Sequence, residues 1–282
     1  MRIAVTGGTG FVGQHLVRCL LTHGHSVTAV GRTKERAEQF DWHNLVEFIE
    51  CDVHCCKVDT IRRIAEADVV IHLAWPGLPN YGEAFHFEDN YRGAYDFLKA
   101  LMQLGVKRLL VIGTCFEYGL QNGCLTEEHP AFPVNSYSIA KDFLRRSLEL
   151  IAPQFKVNLC WARLFYMYGA GQNANSLLAQ LDAAILRGDK AFRMSGGEQL
   201  RDYLSVTTVA DHLRCLAEND EASGVFNICS GQPTSVRNLV ESRLKQQQAS
   251  ISLDLGYYPY PLHEPLAFWG DRRKLDALLE KT

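Results

Sequence analysis

Residues 5–13 read VTGGTGFVG, with Gly7, Gly10 and Gly13 at three-residue spacing. The apolar run RIAV precedes them, and a stretch with Phe11, Leu16, Leu20 and Leu21 on one helical face follows. A strand feeding a glycine loop that opens a helix admits few architectures. Gly7 permits the tight turn, Gly10 lets a pyrophosphate approach the backbone, and Gly13 lets helix pack on strand. The helix start then offers N–H groups and partial positive charge to an anion. A glycine-rich turn without a ligand has no need of strand and helix together. Gly7, Thr9, Gly10, Phe11, Val12 and Gly13 are therefore candidate contacts of a dinucleotide.

The first half keeps this rhythm. SVTAVG (26–31), VEFIECDV (46–53), DVVIHLAW (68–75), RLLVIGT (108–114) and VNLCWARLF (157–165) read as strands. Residues 58–66, 86–104 and 137–152 read as helices. Near-continuous apolar strands alternating with helices predict a Rossmann-type α/β fold, a doubly wound parallel sheet covered on both faces. After about residue 166 the elements shorten to helices near 175–187, 207–219 and 235–247 and strands near 202–206 and 225–230. This predicts a dinucleotide-binding domain over 1–165 with returns at about 201–229. A smaller C-terminal α/β substrate lobe takes 166–200 and 230–282.

Composition narrows the function. A net charge of −3 with mixed signs gives no support for binding nucleic acid, and 47% apolar content is ordinary for a globular enzyme. No apolar run nears the roughly 20 residues that span a bilayer, and the N-terminus does not read as a signal peptide. The nine cysteines lack CxxC spacing and the ten histidines lack HxxxH spacing. Reduced thiols in a cytoplasmic protein without a metal are expected.

Two further stretches carry chemistry. At the end of the second strand, where an NAD site keeps an acid for the ribose hydroxyls, stand Gly31 and Arg32, followed by Thr33, Lys34 and Arg36. Arg32 suits a 2′-phosphate, so NADP(H) is favoured over NAD(H). NSYSIAK (135–141) sets Tyr137 and Lys141 one helical turn apart on one face. That spacing alone also fits a surface helix. Beside a nicotinamide site, an ammonium and a cofactor cation would lower the phenol's pKa from about 10, making Tyr137 a general acid or base.

The motifs together resemble the extended short-chain dehydrogenase/reductases that act on nucleotide sugars, the NAD-dependent epimerase/dehydratase family. TGGTGFVG, Cys51-Asp52-Val53, His72-Leu73-Ala74, Asn90-Tyr91-Arg92-Gly93, the Tyr137–Lys141 pair, Arg201-Asp202-Tyr203-Leu204-Ser205-Val206 and Phe226-Asn227-Ile228-Cys229-Ser230-Gly231 follow the family's order over most of the chain. The resemblance implies that Asp52 and Val53 meet the adenine, that Leu73, Ala74 and Asn90 line the cofactor, and that Lys141 donates to the nicotinamide ribose. Thr114 takes the family's Ser/Thr place, with its hydroxyl toward the substrate oxygen. Arg201 is implied as the diphosphate ligand, and Asp271 matches the C-terminal Asp-x-x-Lys helix start, with His263 in place of a missing second arginine.

Dehydratases of this family carry Asp-Glu after the Thr. Here Cys115 and Phe116 stand there, which rejects dehydration, and Glu117 falls one position late, pointing the other way if the strand continued; it reads as a structural or solvated acid ahead of one that orients a sugar hydroxyl. Trp75, Tyr81 and Phe85 either wall the sugar or form a local hydrophobic cluster, and Cys115 stands beside Thr114. Asn175 and Ser176 cap the next helix or touch the diphosphate, capping being the simpler reading. The reading that results is an NADPH-dependent reductase of a nucleoside-diphosphate 4-keto-6-deoxyhexose. Such products would feed surface polysaccharide, and a homodimer is implied by family analogy. A 4-epimerase with tightly bound NAD and an idle NADP-sensing binding protein remain as alternatives.

Overall fold

The computed structural model describes residues 1–260 and 264–280. Strand β1 (Arg2–Thr6) runs through the glycine loop into helix α1 (Phe11–Thr22). The alternation continues with β2 (Ser26–Gly31), α2 (Lys34–Ala37), β3 (Glu47–Glu50), α3 (Val58–Ile64), β4 (Val69–His72), α4 (Arg92–Gln103) and β5 (Arg108–Thr114). Then come β6 (Gly123–Leu125), α5 (Ser136–Phe155), β7 (Asn158–Leu164), β8 (Tyr166–Tyr168), α6 (Leu177–Arg187), β9 (Ala191–Arg193) and β10 (Leu200–Ser205). The chain closes with α7 (Val206–Glu218), β11 (Gly224–Ile228), β12 (Pro233–Ser235), α8 (Val236–Gln246), β13 (Ser252–Asp254), β14 (Phe268–Gly270) and α9 (Arg273–Leu279).

Seven strands form one parallel sheet in the order β11-β7-β5-β4-β1-β2-β3. This is the expected doubly wound Rossmann arrangement. The order reverses between β1 and β4, where Thr6 sits opposite His72, so the ligand crevice lies above the carboxyl ends of those strands. Both faces are covered, which explains why the central strands read as unbroken apolar runs. One face packs Ile3, Val5 and Ile71 against Leu16 and Leu20 of α1 and Val209 and Leu213 of α7. The other packs Ala4, Val70 and Val111 against Phe97 and Leu101 of α4 and Leu144 and Leu148 of α5. Each fully buried Leu contributes about 1.5–3 kcal/mol relative to exposure.

The lobe has its own core, with Leu178, Leu181, Phe192, Met194, Val240 and Leu244 closing α6 onto α8. β10 pairs with β8 and β12 in a small sheet, whereas β11 is an edge strand of the main one. The expected single helix over 86–104 is two pieces, a π-helical His86–Tyr91 and then α4. Widened turns of that kind concentrate at functional sites. No described helix is long and apolar enough to cross a membrane.

Candidate active site

The cofactor end is set by backbone. Gly7 has a φ of 71°, a left-handed conformation that side chains resist. A Cβ on Gly13 would overlap the Gly7 carbonyl oxygen, so only glycine lets α1 start this close to the loop. Gly10 is the N-cap of α1 and contributes no side-chain bond, which leaves the first-turn N–H groups to an anion. The loop's shape and chemistry fit a dinucleotide pyrophosphate. Thr9, Phe11 and Val12 belong to the same turn, and the Thr9 carbonyl accepts from Arg36 Nε at 3.1 Å. Leu73 and Ala74 lie just past β4, with Ala74 N 2.9 Å from where a Gly7 Cβ would stand.

Arg32 is exposed just past β2. A carboxylate is nevertheless near: Glu50 lies opposite Gly31 and accepts the Lys34 N–H at 2.9 Å. It comes from the neighbouring strand, so a search along β2 alone misses it. Asp52 is exposed and accepts the His54 N–H at 3.0 Å, while Val53 is buried in the second core.

The residues expected to carry acid–base chemistry meet beyond β5. That strand ends at Thr114 because Cys115–Tyr118 turns into a 3-10 helix capped by Thr114 itself, whose Oγ1 accepts the Phe116 N–H at 3.2 Å. Glu117 returns to accept the Thr114 N–H at 2.9 Å. The expectation for Glu117 rested on a continuing strand. The turn instead carries its carboxylate beneath the site, fully buried, where it accepts from Trp161 Nε1 at 3.0 Å and Arg163 Nε at 2.8 Å. It is a structural acid, as Cys115 and Phe116 before it are non-acids.

Asn135 caps α5 with its Oδ1 on the Ser138 N–H at 2.9 Å, which fixes Tyr137 in the first turn. The Tyr137 N–H is one of the donors without a partner in the helix, and it reaches the Tyr81 carbonyl at 3.0 Å, docking the 76–85 loop on the helix start. Tyr137 is 7% exposed, lies beside the Thr114 side chain, and is walled by the rings of Tyr81 at 5.5 Å, His86 at 5.4 Å and Trp75 at 6.1 Å.

Lys141 is 2% exposed. Its Nζ donates to the Ile112 carbonyl at 2.7 Å and lies 4.0 Å from the centre of the Trp75 ring. Burial lowers its pKa from 10.5 to about 7, against the upward pull of Glu117. The phenol departs from expectation. Burial pushes Tyr137 well above 10, and only the Thr114 bond pulls the other way. Lys141 does not offset this because its ammonium is turned to a carbonyl and a ring.

Other expectations are revised by packing. Trp75 is not an open sugar wall; it is buried under Lys141, and its indole N–H donates to His86 Nδ1 at 3.1 Å. His86 is buried and its Nε2–H reaches the Asn80 carbonyl at 2.9 Å. Asn90 spans the same bend, with Nδ2 at 2.9 Å from the Pro76 carbonyl and 3.3 Å from His86 Nδ1. The four-residue spacing of His86 and Asn90 was the available signal for this brace. Tyr81 and Phe85 remain half-buried at the loop.

Cys115 is closed into an apolar cluster with Phe165, Cys229 and Phe268, and burial raises its thiol. Arg201, expected to face a diphosphate, is 3% exposed and donates to Glu264 at 2.9 Å and to the Leu200 and Leu266 carbonyls. Asn175 is exposed, and neither it nor Ser176 caps α6, since the Ser176 hydroxyl is spent on the Asn173 carbonyl. Asp271 accepts the Arg273 N–H at 2.9 Å ahead of α9. His263 lies outside the described residues.

A cleft of about 510 Å³ lined by Glu149, Asn158, Asp220 and Gly224 opens at the amino ends of β7 and β11. That is the wrong end of a doubly wound sheet for its ligand. The candidate site is therefore the switch point, with its glycine loop, buried lysine and buried tyrosine and threonine.

The model of the NAD dependent epimerase/dehydratase family matches residues 3–229. The chain belongs to this family. The dTDP-6-deoxy-L-talose 4-dehydrogenase (NAD(+)) of Aggregatibacter actinomycetemcomitans is 30% identical over 96% of this chain and 99% of its own. The dTDP-6-deoxy-L-talose 4-dehydrogenase (NAD(P)(+)) of Kitasatospora kifunensis is 27% identical over 92% and 83%. Among solved structures, MoeE5 in complex with UDP-glucuronic acid and NAD superposes with a TM-score of 0.83 at 27% identity, covering 99% of this chain and 93% of that one.

Proposed function

We propose that, among the NAD(P)-dependent oxidoreductases of nucleotide sugars to which this chain belongs, the enzyme reduces a nucleoside-diphosphate 4-keto-6-deoxyhexose at C4. The observation that carries the reading is the buried Thr114–Tyr137 hydroxyl pair with Lys141 one turn along, followed by Cys115 and Phe116 where elimination would need an acid and a base. The 4-dehydrogenases named above catalyse by name the oxidative direction of such a couple, and the end-to-end match to one of them supports C4 as the reacting carbon.

Bound nicotinamide supplies the hydride. Tyr137 supplies the proton, and its raised pKa keeps the phenol loaded at neutral pH. Tyr137 donates its proton as negative charge grows on the C4 oxygen, so a free alkoxide does not have to form. Thr114 donates to the same oxygen as its charge grows. Lys141, held on the Ile112 carbonyl and the Trp75 ring one helical turn from Tyr137, would donate to the nicotinamide ribose. Gly7, Gly10 and Gly13 would hold the pyrophosphate of the dinucleotide, with Asp52, Val53, Leu73, Ala74 and Asn90 as the residues that would line it.

The cofactor reading is NADP(H), supported by exposed Arg32 past β2; Glu50 is the carboxylate that a 2′-hydroxyl would use instead. The enzyme acts as a homodimer through α4 and α5. Ile139, Phe143 and Leu150 line one outward face of α5, with Phe143 52% and Leu150 75% exposed.

Purified enzyme with NADPH or NADH and 4-keto-6-deoxy sugars of the thymidine, cytidine and guanosine series tests the reading. Loss of reduced-nicotinamide absorbance with at least one sugar is expected. Silence across the series would overturn it. C4 epimers formed from 4-hydroxy sugars without net nicotinamide use would make the enzyme an epimerase.

A further inference from the structure

Arg201 is the most enclosed cation of the lobe, and it is already paired. Its Nη2 donates to Glu264 Oε2 at 2.9 Å and its Nη1 to the Leu200 and Leu266 carbonyls at 2.9 and 3.2 Å. Phe268 and Tyr166 lie 5.0 and 5.8 Å from the guanidinium carbon. The same Glu264 oxygen accepts the Tyr166 hydroxyl at 3.0 Å. A guanidinium so far from water needs an anion in every state, since stranding it costs several kcal/mol.

The two partners are unequally held. The Arg201 side chain is 3% exposed and that of Glu264 22%, so the carboxylate is the partner with a way out. Glu264 also faces the reaction side. The Tyr166 ring that it holds packs edge-on against Phe116, and Phe116 packs edge-on against Tyr81, whose ring lies against Tyr137. An anion that sits on the lobe's arginine and looks into the acid–base crevice occupies the place a substrate phosphate would take.

We infer that Glu264 is an internal stand-in for the substrate's diphosphate, holding Arg201 until a nucleoside diphosphate displaces it, and so setting the affinity for that group. The inference rests on the nucleotide-sugar reading above, which supplies the diphosphate. Binding then exchanges one anion for another on Arg201, and the Tyr166 hydroxyl loses its hold on the departing carboxylate. Glu264 keeps the arginine oriented at the cost of weaker binding. It thereby discriminates against monoanions too weakly charged to replace it.

Calorimetric titration of the full-length enzyme with dTDP, UDP and GDP tests this, beside Glu264→Gln, Tyr166→Phe and the Arg201→Gln/Glu264→Gln double variant. Glu264→Gln should bind the preferred nucleoside diphosphate about tenfold more tightly. Tyr166→Phe, which removes only the neutral hold on the carboxylate, should gain roughly two- to threefold. The double variant should lose the gain, and NADPH affinity should stay constant throughout. Unchanged or weaker diphosphate binding by both single variants, in a wild type that binds the nucleotide, overturns the stand-in role alone. No binding of any of the three nucleotides by wild type or Glu264→Gln overturns both the stand-in role and the nucleotide-sugar reading.

Discussion

Lys141 and Arg163 are two buried cations, each set on an aromatic ring, with opposite chemical fates. The Lys141 ammonium lies 4.0 Å from the Trp75 ring and the Arg163 guanidinium 4.4 Å from the Tyr118 ring. Arg163 has a carboxylate, Glu117, at 2.8 Å; Lys141 has a backbone carbonyl at 2.7 Å and, among the described residues, no ion pair. Burial opposes the charge of both. For Arg163 the field of Glu117 and Tyr118 more than offsets it and the pKa rises, whereas Lys141 falls to about 7. A buried cation with a counter-ion is locked, and one without is poised to exchange a proton or take a ligand. The two share one acid, since Glu117 is also the group that pulls the Lys141 pKa upward.

The largest expected effect lies on the poised side. Tyr137→Phe should lower kcat for sugar reduction about 10³-fold, within the usual range for a general acid, while nucleotide affinity measured by fluorescence stays near wild type. A loss under tenfold would mean the proton comes from elsewhere. On the locked side, Glu117→Gln should cost about 3 kcal/mol of stability, because Arg163 is left buried without its anion. Urea unfolding reads this as a lower midpoint at unchanged slope. Glu117→Gln with Arg163→Met should recover most of the loss, which would confirm that the pair rather than the acid alone is structural.

The two sides were unequally legible in the sequence. The cradle and the Tyr137–Lys141 pair announce themselves by short, local spacing, because a turn and a helix fix their neighbours directly. The seven-stranded sheet follows for the same reason, from the period of its apolar runs. The fifth strand ends at Thr114 in sequence and structure alike, but the capping turn that buries Glu117 against Trp161 and Arg163 is not legible, because those partners lie 44 and 46 residues along the chain. That Arg201 already carries an anion is not legible, because its half-buried partner, Glu264, is 63 residues away in a proline-rich stretch with no periodicity. Trp75 was given to the sugar for a similar reason. Nothing local says that residue 141 will rest on its ring, or that His86 will hold its indole. Long-range side-chain pairing is where the sequence falls silent.

Lys141→Met sharpens the contrast by separating activity from stability. Removing a poised cation should lower kcat/KM roughly 10²-fold yet leave the fold as stable or more so at neutral pH, the reverse of Glu117→Gln. The pH dependence carries the sign. An amine whose pKa falls on folding binds fewer protons in the native than in the unfolded chain between about 7 and 10.5, so stability rises with pH across that interval. Relative to Lys141→Met, the wild type should gain about 2 kcal/mol between pH 7 and pH 9. Parallel melting curves for the two proteins over that range would show that Lys141 keeps its ordinary acidity.

Trp75 is the finest test, because it asks whether the ring beneath Lys141 acts on the charge or merely fills space. A desolvated cation over an indole face is worth about 2 kcal/mol to the charged form. Trp75→Leu should therefore depress the Lys141 pKa further, and the rise of stability with pH should begin below 7. A simple cavity would lower stability equally at every pH. Trp75→Phe keeps an aromatic face but gives up the hydrogen bond from the indole Nε1 to His86 Nδ1 at 3.1 Å. If the ring's field matters, Phe should restore the pH at which stability begins to rise while kcat stays about tenfold low for want of the His86 brace. If Leu and Phe behave alike in pH dependence, the ring is packing only. The poised state of Lys141 would then rest on burial and the Ile112 carbonyl alone.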